Sequence, residues 1–330
     1  MTFLYIVVGL VLIFDFINGF HDSANSIATI VSTKVLSPFA AVVMAAFFNF
    51  IAFLFFEPKV AHTIGKGVIN PDVINLTVIA SALVAAITWN LITWWYGLPS
   101  SSSHTLVGGL VGAAVAGTGW SSVVMAGVLK IVAFIVIAPL LGMVMSFFIS
   151  ALVIFVSRNQ SPLGIDKHFR RLQLLSAAAF SLGHGGNDAQ KSMGIIWVAL
   201  IVSGLATKND PIAFWIVISC QTAIALGTLL GGWRIVKTMG QKITKLKPFE
   251  GFCAESAGAL TLFGATHFGI PVSTTHVITG AIMGAGARKG VSAVKWGVTR
   301  KIFLAWLLTI PVSAVIGGSV YYFFNWAFKT

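Results

Sequence analysis

The chain alternates long apolar stretches with short polar ones. The apolar stretches cover residues 2–18, 37–57, 73–96, 104–117, 122–155, 172–186, 189–206, 211–233, 251–268, 274–287 and 302–328. A helix needs about 20 apolar residues to cross the hydrocarbon core of a bilayer, and several of these runs reach that length. The runs are continuous rather than alternating, so membrane helices are expected and the strands of a β-barrel are not. The first stretch lacks a basic leader and carries Asp15 and Asn18, which does not fit a cleavable signal peptide. The pattern predicts an all-α polytopic membrane protein of roughly 10–12 helical segments.

Four polar interruptions stand out: residues 18–25 (Asn-Gly-Phe-His-Asp-Ser-Ala-Asn), 97–104 (Gly-Leu-Pro-Ser-Ser-Ser-Ser-His), 183–191 (Gly-His-Gly-Gly-Asn-Asp-Ala-Gln-Lys) and 269–276 (Gly-Ile-Pro-Val-Ser-Thr-Thr-His). Each reads as a break in a helix. Unpaired backbone is not tolerated against lipid, so breaks are expected to line an enclosed or watery cavity.

The interruptions form two pairs. An offset of 166 carries Gly19, Asp22 and Ser26 onto Gly185, Asp188 and Ser192, with His21 on Asn187 and Asn25 on Lys191. An offset of 172 carries Gly97, Pro99, Ser101, His104 and Gly108 onto Gly269, Pro271, Ser273, His276 and Gly280. A third match, at 175, carries Val60, Thr63 and Gly65 onto Ile235, Thr238 and Gly240. Three matches in the same order divide the chain into a first repeat at 1–156, a short cytoplasmic linker at 157–171 and a second repeat at 172–330.

Charge gives the repeats a relative orientation. Residues 59–72 hold two basic side chains, Lys59 and Lys66, and the equivalent 234–247 hold five. Residues 116–130 hold one, Lys130, and the equivalent 288–302 hold five. The positive-inside rule then puts the second copies in the cytoplasm and the first copies outside. Equivalent loops on opposite sides mean an inverted-topology repeat, an architecture of secondary transporters with broken helices and a midplane site. Composition agrees: 57% of the residues are hydrophobic and 9% charged, too few charges to cover a soluble globule of this size. The formal net charge of +12 therefore reads as a topology signal rather than a nucleic-acid surface. Cys220 and Cys253 provide no disulfide framework or metal spacing.

The chemistry lies in the paired motifs. Ser101, Ser102, Ser103 and Thr105, and Ser273, Thr274 and Thr275, each follow a Pro and open an apolar helical stretch. A helix N-terminus offers unpaired N–H groups and a partial positive charge, which suits an oxyanion. Two such ends could clasp one small anion, although the same residues also cap helices and join them. Asp22 and Asp188 are carboxylates at membrane depth, where an acid costs about 2.5–3.5 kcal/mol on insertion scales. An anion beside them needs accompanying cations, so Asp22 and Asp188, with Asn25, Asn187 and Gln190, are candidate Na⁺ ligands, or else proton carriers. Lys191 could contact the anion or neutralise Asp188. Glu255 is a further coupling candidate, and Asp15 a weaker one. His21, His104, His184 and His276 match no metal motif and read as hydrogen-bonded spacers.

These paired motifs resemble the duplicated signatures of the inorganic phosphate transporter (PiT) family, over nearly the whole chain. The resemblance implies a short bacterial-type member: a symporter of inorganic phosphate driven by Na⁺ or H⁺, with re-entrant hairpins, a homodimeric state and no cofactor. By the same resemblance, Asp22 and Asp188 belong to the cation site, the hydroxyls of both Pro motifs belong to the phosphate site, and Glu255 matches a functional Glu of the second half. Beside them, Asn25, Gln190 and Lys191 are candidate phosphate contacts, and Asn25 and Asn187 candidate cation ligands, on their position in the motifs alone. Three features depart from the family pattern: Asn49 where many relatives carry Glu, Gln190-Lys191 where many carry Ala-Asn, and a short central linker. The expected protein is a multi-pass symporter of the cell (inner or plasma) membrane working by alternating access. Sulfate or another oxyanion is the alternative cargo. An anion channel fits less well with the repeated carboxylates. An enzyme built on Ser103 and His104 is disfavoured, because adjacent helical residues do not face each other.

Overall fold

The structure, a computed structural model, describes residues 1–64, 67–159 and 161–328. Gly65 of the third repeat match, Lys66 of the basic-residue count and Gln160 of the expected linker lie outside the described residues. The described residues form twelve α-helices: α1 (Thr2–Ser32), α2 (Pro38–Ile51), α3 (Lys59–Ile64), α4 (Leu76–Trp95), α5 (Ser102–Thr118), α6 (Met125–Ser157), α7 (Pro162–Val202), α8 (Phe214–Leu230), α9 (Trp233–Lys237), α10 (Pro248–His267), α11 (Thr274–Ala287) and α12 (Trp296–Phe328). Among them there is no strand, only an isolated bridge between Ile69 and Val123. Helices α1, α4, α6 and α12 are long and apolar enough to cross a membrane. Helix α8 bends by 61° into α9 and the π-helical turn that follows it.

Two of the four expected breaks are continuous helix. Helix α1 runs through residues 18–25 and α7 through 183–191 without interruption. Neither stretch contains Pro, so the backbone ladder has no missing donor. The polar side chains make their bonds to other helices instead. The glycines serve close packing: a methyl on Gly19 would collide with the Ile224 backbone of α8, and one on Gly185 with the Asn49 backbone of α2.

The other two breaks are real. The chain turns at Gly97 (φ +63°) and Gly269 (φ +66°), a backbone region that favours glycine. After each turn a serine caps the next helix. Ser101 Oγ accepts from the His104 N–H and Ser273 Oγ from the His276 N–H, both at 3.3 Å. Helices α4 and α5 thus form one hairpin, and α10 and α11 the other.

The halves are interlocked rather than side by side. Helix α1 packs on α8 and α2 on α7, while α5 packs on α12 and α11 on α6. Thr33 meets Gln173, Asp22 lies beside His184, and Asp15 faces Ser192. The order reverses along the two helices, so α1 and α7 run antiparallel. Helix α6 ends at Ser157 and α7 starts at Pro162, capped by Ser161. The expected linker is therefore shorter than 157–171, because residues 162–171 are the first turns of α7.

The apolar core has two clusters, each built from both halves. One takes α1 up to Phe14 and α7 from Ala189; the other takes α1 from Ala24 and α7 from Ala177 to Phe180. The polar stretches of α1 and α7 lie between these clusters, at mid-depth in the fold. Large apolar side chains face outward along α6 and α12, among them Phe148, Val156, Leu308 and Val315.

Candidate substrate and cation site

The site forms where α1 and α7 cross and the N-termini of α5 and α11 point in. On α1, one turn presents His21, Asp22 and Asn25. On α7, His184, Asp188 and Lys191 stand three and four residues apart, hence on one helical face. All six side chains are buried. Asp22, His184 and Asp188 each place one ligand atom within 4.8 Å of the others.

Each carboxylate is tied to the α11 N-terminus by a hydroxyl. Thr274 Oγ1 donates to Asp188 Oδ2 at 3.0 Å and Thr275 Oγ1 to Asp22 Oδ2 at 3.4 Å. Asn25 Nδ2 donates to both threonines, at 3.3 and 2.9 Å. One short loop-to-helix junction of the second half therefore reads the acids of both halves. The α5 N-terminus joins through Lys191, whose Nζ donates to Ser103 Oγ at 2.6 Å, to Asp188 Oδ1 at 2.5 Å and to the Val272 carbonyl at 2.9 Å. His104 and His276, one from each hairpin, place their ring centroids 4.9 Å apart. Behind them, His276 stacks on Trp306, whose Nε1 donates to the Pro99 carbonyl at 2.8 Å. Helix α12 of the second half thereby holds the break of the first.

Other partners orient the acids. His21 Nδ1 lies 2.6 Å from Asp22 Oδ1 and its Nε2 3.0 Å from Thr93 Oγ1. His184 Nε2 lies 3.2 Å from Asp188 Oδ2, and its Nδ1 3.2 Å from Asn49 Oδ1. Ser102 Oγ is buried and has no partner among the described residues, which leaves it free for a ligand.

Several expected site residues lie elsewhere or are engaged. Gln190 does not join the cluster: its Nε2 donates to the Glu57 carbonyl and its Oε1 accepts from the Val60 N–H, both at 2.9 Å. It fixes the entry to α3, and its amide is not offered to an anion. Asn187 Nδ2 donates to Thr266 Oγ1 and the Ile270 carbonyl, which secures the turn before α11. Thr105 Oγ1 bonds back to the Ser102 carbonyl and reaches Asn90 Oδ1, and Ser101 and Ser273 are spent as caps. Glu255 heads a separate buried cluster. Its carboxylate accepts from Gln173 Nε2 at 2.9 Å and Ser176 Oγ at 2.5 Å, and Gln173 is in turn held by Thr33. Asp15 is buried facing Asn18 and Ser192. In the sequence His184 reads as a hydrogen-bonded spacer. Its i, i+4 relation to Asp188 becomes visible only once 183–191 is read as helix.

Two hydroxyl-bearing helix N-termini, two carboxylates and one ammonium thus meet at one buried place, a set of groups that suits a small oxyanion with a cation. Comparison with known proteins points the same way. The profile of the phosphate transporter family matches residues 18–164 and again 156–317. A probable low-affinity inorganic phosphate transporter of Rhizobium meliloti (strain 1021) is 57% identical over 320 residues, covering 96% of each chain. A protein of the same description from Bacillus subtilis (strain 168) is 45% identical, again over 96% of each. A solved structure described as the sodium-dependent phosphate transporter superposes with a TM-score of 0.87 at 28% identity, covering 99% of this chain and 100% of that one. With the family profile matched in both halves and such relatives matched end to end, the chain belongs to the phosphate transporter family and is a multi-pass membrane transporter of inorganic phosphate, not an enzyme.

Proposed function

We propose that the protein is a secondary symporter of the cell membrane that couples inorganic phosphate to Na⁺ by alternating access. The observation that carries this reading is the α11 N-terminus, where Thr274 and Thr275 touch Asp188 and Asp22 while the capped α5 N-terminus lies across from it. Phosphate at the two helix ends would take N–H groups and hydroxyls; Ser102, Ser103, Thr274 and Thr275 are its proposed ligands. A cation between Asp22 and Asp188 would remove the repulsion between acids and anion, and so make each ligand favour binding of the other. The description of the structural relative as sodium-dependent supports Na⁺ over H⁺ as the coupling ion. The antiparallel course of α1 and α7, with the basic loops of the second half, supports an inverted repeat whose second copies face the cytoplasm. A homodimer is proposed from the family resemblance.

The test is phosphate uptake into proteoliposomes under a Na⁺ gradient and an H⁺ gradient, imposed one at a time. Uptake driven by Na⁺ alone is expected. Uptake driven by H⁺ alone would reassign the coupling ion, and displacement of phosphate by equimolar sulfate would reassign the cargo.

A further inference from the structure

We infer that Lys191 is a built-in cation: its ammonium fills the place a second coupling ion would take at Asp188, so one coupling cation, not two, accompanies each phosphate. This rests on the symporter reading above and concerns how many ions that symporter uses.

The repeat supplies the first observation. The offset that carries Asp22 onto Asp188 carries Asn25 onto Lys191, so equivalent positions hold a neutral amide in one half and a charge in the other. Geometry supplies the second. Lys191 Nζ is surrounded by a carboxylate oxygen of α7 at 2.5 Å, a hydroxyl oxygen of the α5 N-terminus at 2.6 Å and the Val272 carbonyl oxygen ahead of α11 at 2.9 Å. A carboxylate, a hydroxyl and a backbone carbonyl gathered from three elements are the donors that a hard monovalent ion takes. Lysine presents a compact positive charge on a flexible stem, and its three N–H groups match these three acceptors.

The first half lacks this arrangement. Asn25 donates only to Thr274 and Thr275, and Asp22 is met by His21 and Thr275 rather than by an ammonium. Among the described residues, Asp22, His184 and Asp188 gather a second set of donor atoms, two carboxylates and an imidazole. Lys191 already gives Asp188 a tethered ammonium partner, whereas none meets Asp22, which leaves one of the two carboxylates for a mobile cation. The tethered charge stays with the protein at every turnover, so it helps to bind the anion but brings in no gradient energy. At zero membrane potential, a tenfold cation gradient can then support only about tenfold phosphate accumulation, where two ions would support about a hundredfold.

The deciding measurement is the number of coupling cations per phosphate in the wild-type protein. It is read from the zero-flux balance of phosphate and cation gradients in proteoliposomes, at a clamped membrane potential. One cation is expected for the wild type and two for Lys191→Asn, which restores the first-half residue. A wild-type value of two or more overturns the inference, as does uptake without cation dependence or a Lys191→Asn variant that keeps the wild-type number. If that variant does not fold, the wild-type count decides alone. Failure of the wild type to move phosphate under either gradient would instead overturn the symporter reading.

Discussion

At the scale of single residues, the two aspartates have unlike surroundings, and so unlike consequences when altered. Both Asp22→Asn and Asp188→Asn are expected to reduce coupled uptake at least about 100-fold, in line with the loss of charge-assisted contacts. Wild-type uptake by both would remove them from the cation site. Asp188→Asn should also destabilise the fold by about 3–5 kcal/mol, because it strands the Lys191 ammonium in a buried position. Asp22→Asn, whose partners are an imidazole and a hydroxyl, should show a clearly smaller drop in detergent melting temperature. Ser102→Ala removes a hydroxyl that has no protein partner among the described residues, so its expected effect is on phosphate alone. KM should rise about 5- to 10-fold, near 1 kcal/mol, with unchanged cation dependence. Thr275→Ala breaks links to both Asn25 and Asp22, so it should raise the apparent KM for phosphate and for the cation together. Asp22, Asp188 and the hydroxyl motifs were legible in the sequence because acids and serine runs stand out in apolar surroundings. The engagement of Gln190 with the Glu57–Val60 backbone was not, since nothing local in the sequence records it.

At the scale of helices, residues 18–25 and 183–191 show how a polar, glycine-bearing stretch can stay helical inside a membrane fold. Breaking a helix there would free backbone groups at a depth without water, whereas side-chain polarity can be met by neighbouring helices. The glycines let α1 approach α8 and α2 approach α7 closely, as small residues do at membrane helix interfaces. Gly185→Val is therefore expected to destabilise the protein by about 1–3 kcal/mol or more by forcing α2 and α7 apart. A lower melting temperature in detergent would show it, and an unchanged one would contradict the packing role. The Gly-x-Pro stretches, by contrast, combine a positive φ with a proline and a serine cap, and there the sequence marked true breaks.

At the scale of the whole molecule, the interlocked halves leave a cavity of about 340 Å³ that leads to the paired N-termini, lined among others by Ser103, Ser273, His104, Lys130, Ile131 and Phe134. In the orientation that the loop charges predict, this cavity opens on the outer side. Ile131→Cys should accordingly react with a membrane-impermeant thiol reagent from outside, and saturating phosphate with the coupling cation should slow that reaction severalfold. Cys220 and Cys253 are buried and contribute little background. Labelling that ignores both ligands would contradict alternating access through this opening.

The sequence by itself determined the helical membrane class and the paired motifs, and it named the candidate residues, because these follow from local hydropathy, spacing and residue type. Only the tertiary structure decided that α1 and α7 are unbroken and that each half packs on the other. It also placed His184 with the acids, Glu255 apart from them and Lys191 on Asp188 and Ser103. Apart from the local contacts of Asp188 with His184 and Lys191, these join distant parts of the chain: Lys191 and Ser103 are 88 positions apart, and Asn25 and Thr275 are 250. They arise from how antiparallel helices meet across the repeat. A hydropathy pattern fixes which face of a helix is polar, but not which distant helix that face will find.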